Sequence, residues 1–149
     1  MSFELDASGI KIWFEVQNFH SWTEENRDLE WCVCGYRFFT PGRLNCYKDH
    51  DAIMECAEVE ELEQALTALL EDRISEPQEI GFVEPDLVFE LYPKKDKRDD
   101  PQYLYVKPGH EIQDIYLEWR VYFWNRGLTK NYLSATLYRS EIEDLRNYL

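Results

Sequence analysis

The sequence predicts an α+β fold, mainly antiparallel sheet in a two-layer or sandwich-like arrangement, with one central acidic amphipathic helix and a short C-terminal helix. Two patterns carry this. Apolar residues alternate with a period of two along several stretches bounded by turn residues, and only two stretches show helical spacing. The order is strands, helix, strands, helix with hairpin-like links, which favours antiparallel pairing over parallel crossovers. A chain of 149 residues with 44% apolar and 15% aromatic side chains is read as a single domain, 1–149, large enough for a core without staples.

The first strand signal is Ile10, Ile12, Phe14 and Val16 on one face, with Lys11, Glu15 and Gln17 opposite. A polar stretch, His20 to Asp28, connects to Leu29–Thr40, where Trp31, Val33 and Gly35 alternate with Cys32, Cys34, Tyr36 and Phe38. Both faces are largely apolar, so this strand is expected to be central and covered on both sides. Thr40-Pro41-Gly42-Arg43 signals a turn, with Leu44–Tyr47 returning as its hairpin partner. Val59, Leu62, Leu66, Leu69, Leu70 and Ile74 recur at helical spacing, and Glu58, Glu60, Glu61 and Glu63 suit the positive end of the helix dipole. Ser75-Glu76-Pro77 is expected to end this helix.

Strands resume at Ile80–Val83 and Leu87–Tyr92. Lys94–Pro101 reads as an exposed, mobile charged loop and Tyr103–Val106 as a short strand. In the longest strand Ile115, Leu117, Trp119, Val121 and Phe123 alternate with Tyr116, Glu118, Arg120, Tyr122 and Trp124. Asn125-Arg126-Gly127 turns the chain into Tyr132–Tyr138, and Ser140-Glu141-Ile142-Glu143 is a capping-box pattern opening the last helix.

The formal net charge is -14, and its placement is uneven. Residues 1–92 carry 21 acidic and 6 basic side chains, whereas residues 93–149 carry 9 acidic and 10 basic. Such a field disfavours direct binding to nucleic acid or an anionic membrane and speeds encounter with cationic partners. The amino-terminal residues lack a signal-peptide pattern, and no apolar run is long enough to span a bilayer, so a cytoplasmic location with reduced, mostly buried cysteines is expected.

Signatures of catalysis are weak. There is no G-x-S-x-G, and the glycines are isolated, which leaves no phosphate-cradling loop. Cys32-x-Cys34 puts both thiols on one strand face, unlike a zinc knuckle, and Asp49-His50-Asp51 with Cys46 and Cys56 is read as a solvated loop beside structural thiols. Glu118 beside Arg120 reads as a cross-strand or same-face ion pair; with Glu84 they would be the place to look for a small-ligand pocket. The expectation is a non-enzyme with no cofactor and no bound metal. Trp124, Tyr138 and Trp22 are the aromatics expected at the surface.

Asp28–Cys34, Glu58–Leu66, Gly81–Phe89 (with Phe82-Val83-Glu84-Pro85-Asp86-Leu87-Val88-Phe89 the most distinctive part) and Ser140–Leu145 together give a layout that resembles the WapI-like immunity proteins of bacterial polymorphic and contact-dependent toxin systems. The resemblance runs from about Ile10 to the end, with Lys94–Pro101 as a departure from it. It implies a cytoplasmic antidote that binds the C-terminal domain of a toxin, often a basic nuclease, without catalysis. The charge points the same way, since an acidic protein can occupy a cleft built to grip phosphate. The expected partner-binding residues are Glu60, Glu61, Glu63, Glu71 and Asp72 around the helix and Glu24, Glu25 and Asp28 before the Trp31 strand, with Trp22 as an aromatic anchor. A regulatory or scaffold domain binding another cationic protein would use the same acids. Monomer and homodimer are both allowed.

Overall fold

A computed structural model describes residues 1–19 and 31–149. Ten strands and two helices follow in the order β1 (Phe3–Ala7), β2 (Ile10–Gln17), β3 (Trp31–Thr40), β4 (Leu44–Glu55), α1 (Cys56–Leu70), β5 (Gln78–Gly81), β6 (Leu87–Tyr92), β7 (Lys95–Asp96), β8 (Ile112–Gln113), β9 (Tyr116–Trp124), β10 (Leu128–Tyr138) and α2 (Arg139–Tyr148). One four-stranded sheet runs β1-β2-β3-β4 and a second runs β10-β9-β6-β5, every pairing antiparallel. The fold class expected from the sequence is the one observed.

The two sheets pack face to face through aromatic side chains. Trp119 of β9 is fully buried, with Phe14 and Phe38 of the first sheet edge-on to it at 5.2 and 5.4 Å and Phe89 of β6 at 4.8 Å between ring centroids. Such edge-to-face contacts match the charge distribution of the rings and add to the burial of their area. Val59, Leu62, Leu66 and Leu69 of α1 and Ile142 and Leu145 of α2 complete the same core, and the two helices pack on each other.

Several elements differ from the sequence-based expectation. β1 was not anticipated; it is joined to β2 by Ser8 and Gly9, both at positive φ (52° and 99°), with Asp6 accepting from the Gly9 amide at 2.8 Å. Paired positive-φ residues match the right-handed twist of a hairpin. β3 is interior to its sheet, and among the described residues one of its faces is buried more deeply than the other. Cys32, Cys34, Tyr36 and Phe38 are buried, whereas Arg37 is exposed and Val33 and Phe39 are half-buried. β4 continues well past Tyr47: two register shifts against β3 let it run to Glu55, so Asp49-His50-Asp51 lies on a strand, not in a loop.

α1 starts at Cys56 and stops at Leu70, earlier than the Pro77 breaker required. The amide of Asp72, at φ 55°, donates to Leu69 O and that of Arg73 to Ala68 O, the paired bonds of a Schellman stop. At the other end Glu58 accepts from the Glu55 amide at 2.9 Å and, through its second oxygen, from the Val83 amide at 2.6 Å. α2 begins at Arg139; its box is closed by Glu141 accepting from the Tyr138 amide at 2.8 Å, two residues earlier than the Ser140–Glu143 pattern indicated.

Lys94–Pro101 is not a plain loop. It contains β7, paired with β8, then a 3-10 turn at Lys97–Asp99 capped by Asp96. Asp96 is held low, at about 2, by Arg98. Tyr103–Val106 forms no strand, and Leu104 and Tyr105 are largely exposed there. No described helix is long and apolar enough to cross a membrane.

Candidate functional site

The acidic excess divides into carboxylates already matched with cations and carboxylates left facing solvent. Asp86, the buried charge of the core, accepts from Lys48 Nζ at 2.8 Å and ties β4 to the start of β6. Asp114 takes a two-pronged contact from Arg139 (2.9 and 2.6 Å), which holds its carboxyl at about 2. The same guanidinium donates to Leu70 O at 3.1 Å and reaches Asp72 at 3.4 Å. Glu90 and Glu118 share Arg120 on the outer face of the second sheet. Glu84 makes no ion pair or hydrogen bond with Glu118 or Arg120 among the described residues, so the three do not assemble a site.

This division sorts the residues expected to bind a partner. Glu71 pairs with Arg73 at 2.6 Å, and Asp72 with Arg139 and Lys94. Both lie beyond the end of α1 and hold the chain's own structure. Glu60 and Glu63, both half-buried, and Glu61 lie in a helix with no basic side chain. Glu61 is exposed, and neither Glu61 nor Glu63 has an ion-pair partner among the described residues. Trp22, Glu24, Glu25 and Asp28 lie outside the described residues.

A second surface was not foreseen. On the outer face of the first sheet, strand register sets Glu4, Trp13, Arg37 and Tyr47 in one cross-strand row and Asp6, Lys11, Phe39 and Asn45 in the next. Trp13 reaches across β3 because Gly35 offers it room: a Cβ there would stand 3.0 Å from Trp13 Cζ3. The Arg37 guanidinium sits 4.5 Å above the Phe39 ring, and its Nε donates to Asn45 at 3.0 Å. Trp13 and Arg37 both line two shallow hollows of about 740 and 450 Å³, one toward Glu4 and Asp6 and the other toward Tyr47 and Asp49. Tyr47 is 66% exposed, far more than a core aromatic.

His50 sits at the margin of this face. It contacts Glu15 at 2.6 Å and Asp49 at 3.0 Å, with Trp13 edge-on to its ring at 5.9 Å. Hydrogen bonds to Glu15 and then Asp49 raise its pKa, and the His50 hydrogen bond lowers that of Glu15. Alternation in β2 and β3 could have located the face; the register shifts that bring His50 to Glu15 leave no mark in the sequence.

Trp, Tyr and Arg are the residue types enriched where protein interfaces draw most of their binding energy. An open sheet face with an aromatic centre and acidic margins suits a macromolecular surface. Among the described residues no three His, Cys, Asp or Glu side chains come together as a metal-ligand set. Comparison with known proteins found no matching family model, no matching curated protein and no matching solved structure.

Proposed function

We propose that the chain binds a cationic protein, steered by the single-sign face of α1 and anchored on the Trp13–Arg37–Tyr47 face. The observation that carries this is a contrast in charge pairing: Asp72, Asp86, Glu90 and Asp114 are matched with Lys or Arg, while Glu61 and Glu63 on the cation-free helix have no ion-pair partner among the described residues. Unmatched like charge on a rigid element costs self-repulsion and offers long-range attraction to an opposite surface.

The resemblance to WapI-like immunity proteins makes the C-terminal domain of a toxin, a basic nuclease above all, the proposed partner. Binding would neutralise the toxin by covering its phosphate-gripping surface, with no chemistry performed by this chain. Co-purification with the basic toxin domains encoded beside its gene tests the reading. Retention at low salt that weakens at high salt, with loss of nuclease activity, is expected. Failure to retain any of them would remove the immunity role, and retention of an unrelated basic protein would favour a regulatory or scaffold role.

A further inference from the structure

Two thiols outside the proposed binding surfaces are placed for chemistry. Cys32, on the buried face of β3, and Cys56, the first residue of α1, bring their Sγ atoms to 2.9 Å. Neither is in a disulfide, and they are 24 residues apart in sequence. Neighbouring register explains the approach: Cys32 pairs with Met54 across the β3–β4 ladder, two residues before Cys56. The sulfurs therefore meet without any rearrangement of the strands.

Among the described residues, the other two thiols are not set against a second sulfur in this way. Cys34 shares the Cys32 strand face, but burial pushes its thiol up to about 12, and its Sγ contacts Cys32 O at 3.9 Å. Burial also raises the Cys46 thiol. A thiol reacts as its thiolate, so a raised value slows attack.

We infer that Cys32 and Cys56 form a reversible intramolecular disulfide that staples the start of β3 to the start of α1 when the protein meets a peroxide oxidant. One thiolate attacks a peroxide oxygen, the O–O bond breaks, and a sulfenic acid and one water result. The second thiol then attacks that sulfur and expels a second water. Two thiols are oxidised and one hydrogen peroxide is reduced, with no other reactant. The bond would close a loop holding both strands of the β3–β4 hairpin and so restrict the unfolded chain. This modification is independent of partner binding.

The test uses the wild-type chain, purified reduced and treated with stoichiometric hydrogen peroxide, then alkylated and mapped by mass spectrometry. Expected are the loss of two hydrogens, a linked Cys32–Cys56 peptide pair, an alkylated Cys46, and a Tm about 5–10 °C higher that dithiothreitol reverses. The variant Cys34→Ala should keep the link. Four alkylated cysteines after treatment, or a link through Cys34 or Cys46, would overturn the assignment. So would a link that lowers Tm, because closing the loop restricts the unfolded chain.

Discussion

Asp86 and Lys48 show why some of this chain's charge is structural. The Asp86 side chain is 4% exposed and its cation 33% exposed, so the carboxylate has left water while the ammonium has not fully done so. Removing one partner of a fully buried pair costs roughly 3–5 kcal/mol, and the solvent reach of Lys48 reduces that. Asp86→Asn should lower unfolding free energy by about 2–3 kcal/mol in urea titrations; a change near zero would mean that the pair is dispensable. His50 makes a different statement, about pH. Its folded pKa lies above the ordinary 6.5 and that of Glu15 below 4.5. The histidine's contribution is therefore full below 6.5 and is lost as pH rises through the raised value. The Glu15 contribution is present above 4.5 and is lost as pH falls through the lowered value. An NMR titration should place the His50 midpoint above 6.5, with Glu15→Gln moving it back down. The Tm difference between wild type and Glu15→Gln should be largest between pH 4.5 and 6.5.

Among the elements, α1 does two jobs with different residues. Its ends are fastened by Glu58 at the start and by the Asp72–Arg139 contact at the finish, while Glu61 and Glu63 have no ion-pair partner among the described residues. Arg139→Lys keeps the charge but loses the fork on Asp114 and the bond to Leu70 O, so unfolding free energy should fall by about 1–2 kcal/mol. Reversing charge at Glu61 and Glu63 should leave stability nearly unchanged and slow partner association about tenfold, with a smaller effect on dissociation. Stopped-flow mixing measures this, and an effect confined to dissociation would contradict the steering role. The elements most legible in the sequence were those with long regular periods: β2, β3, β6, β9 and α1. Local chemistry hid the others. A Schellman stop at Asp72 ended α1 before its apolar pattern ran out, bulges carried β4 through a polar run, and β1 is five residues closed by a Ser-Gly turn. The acids of α1 were legible as a group, but their division from Glu71 and Asp72 depended on distant cations, Arg139 among them. The Trp13 face depended on register across four strands.

At the scale of the molecule, the sandwich places Trp119 and three phenylalanines between the sheets and sets Trp13, Arg37 and Tyr47 on the outer face of the first sheet. Trp119, Phe14, Phe38 and Phe89 fix the spacing of the layers, so the rows on the outer face of the first sheet stand on a rigid base. A preorganised surface loses little entropy on binding, which lets a few aromatic anchors and a steering field suffice. Calorimetric titration of the chain with a basic toxin domain encoded beside its gene, at low and at physiological ionic strength, tests the account most directly. A saturable complex that weakens as salt rises, and weakens about tenfold or more with Trp13→Ala, is the expected result. No complex at low salt, or an affinity indifferent to both salt and Trp13, would contradict it.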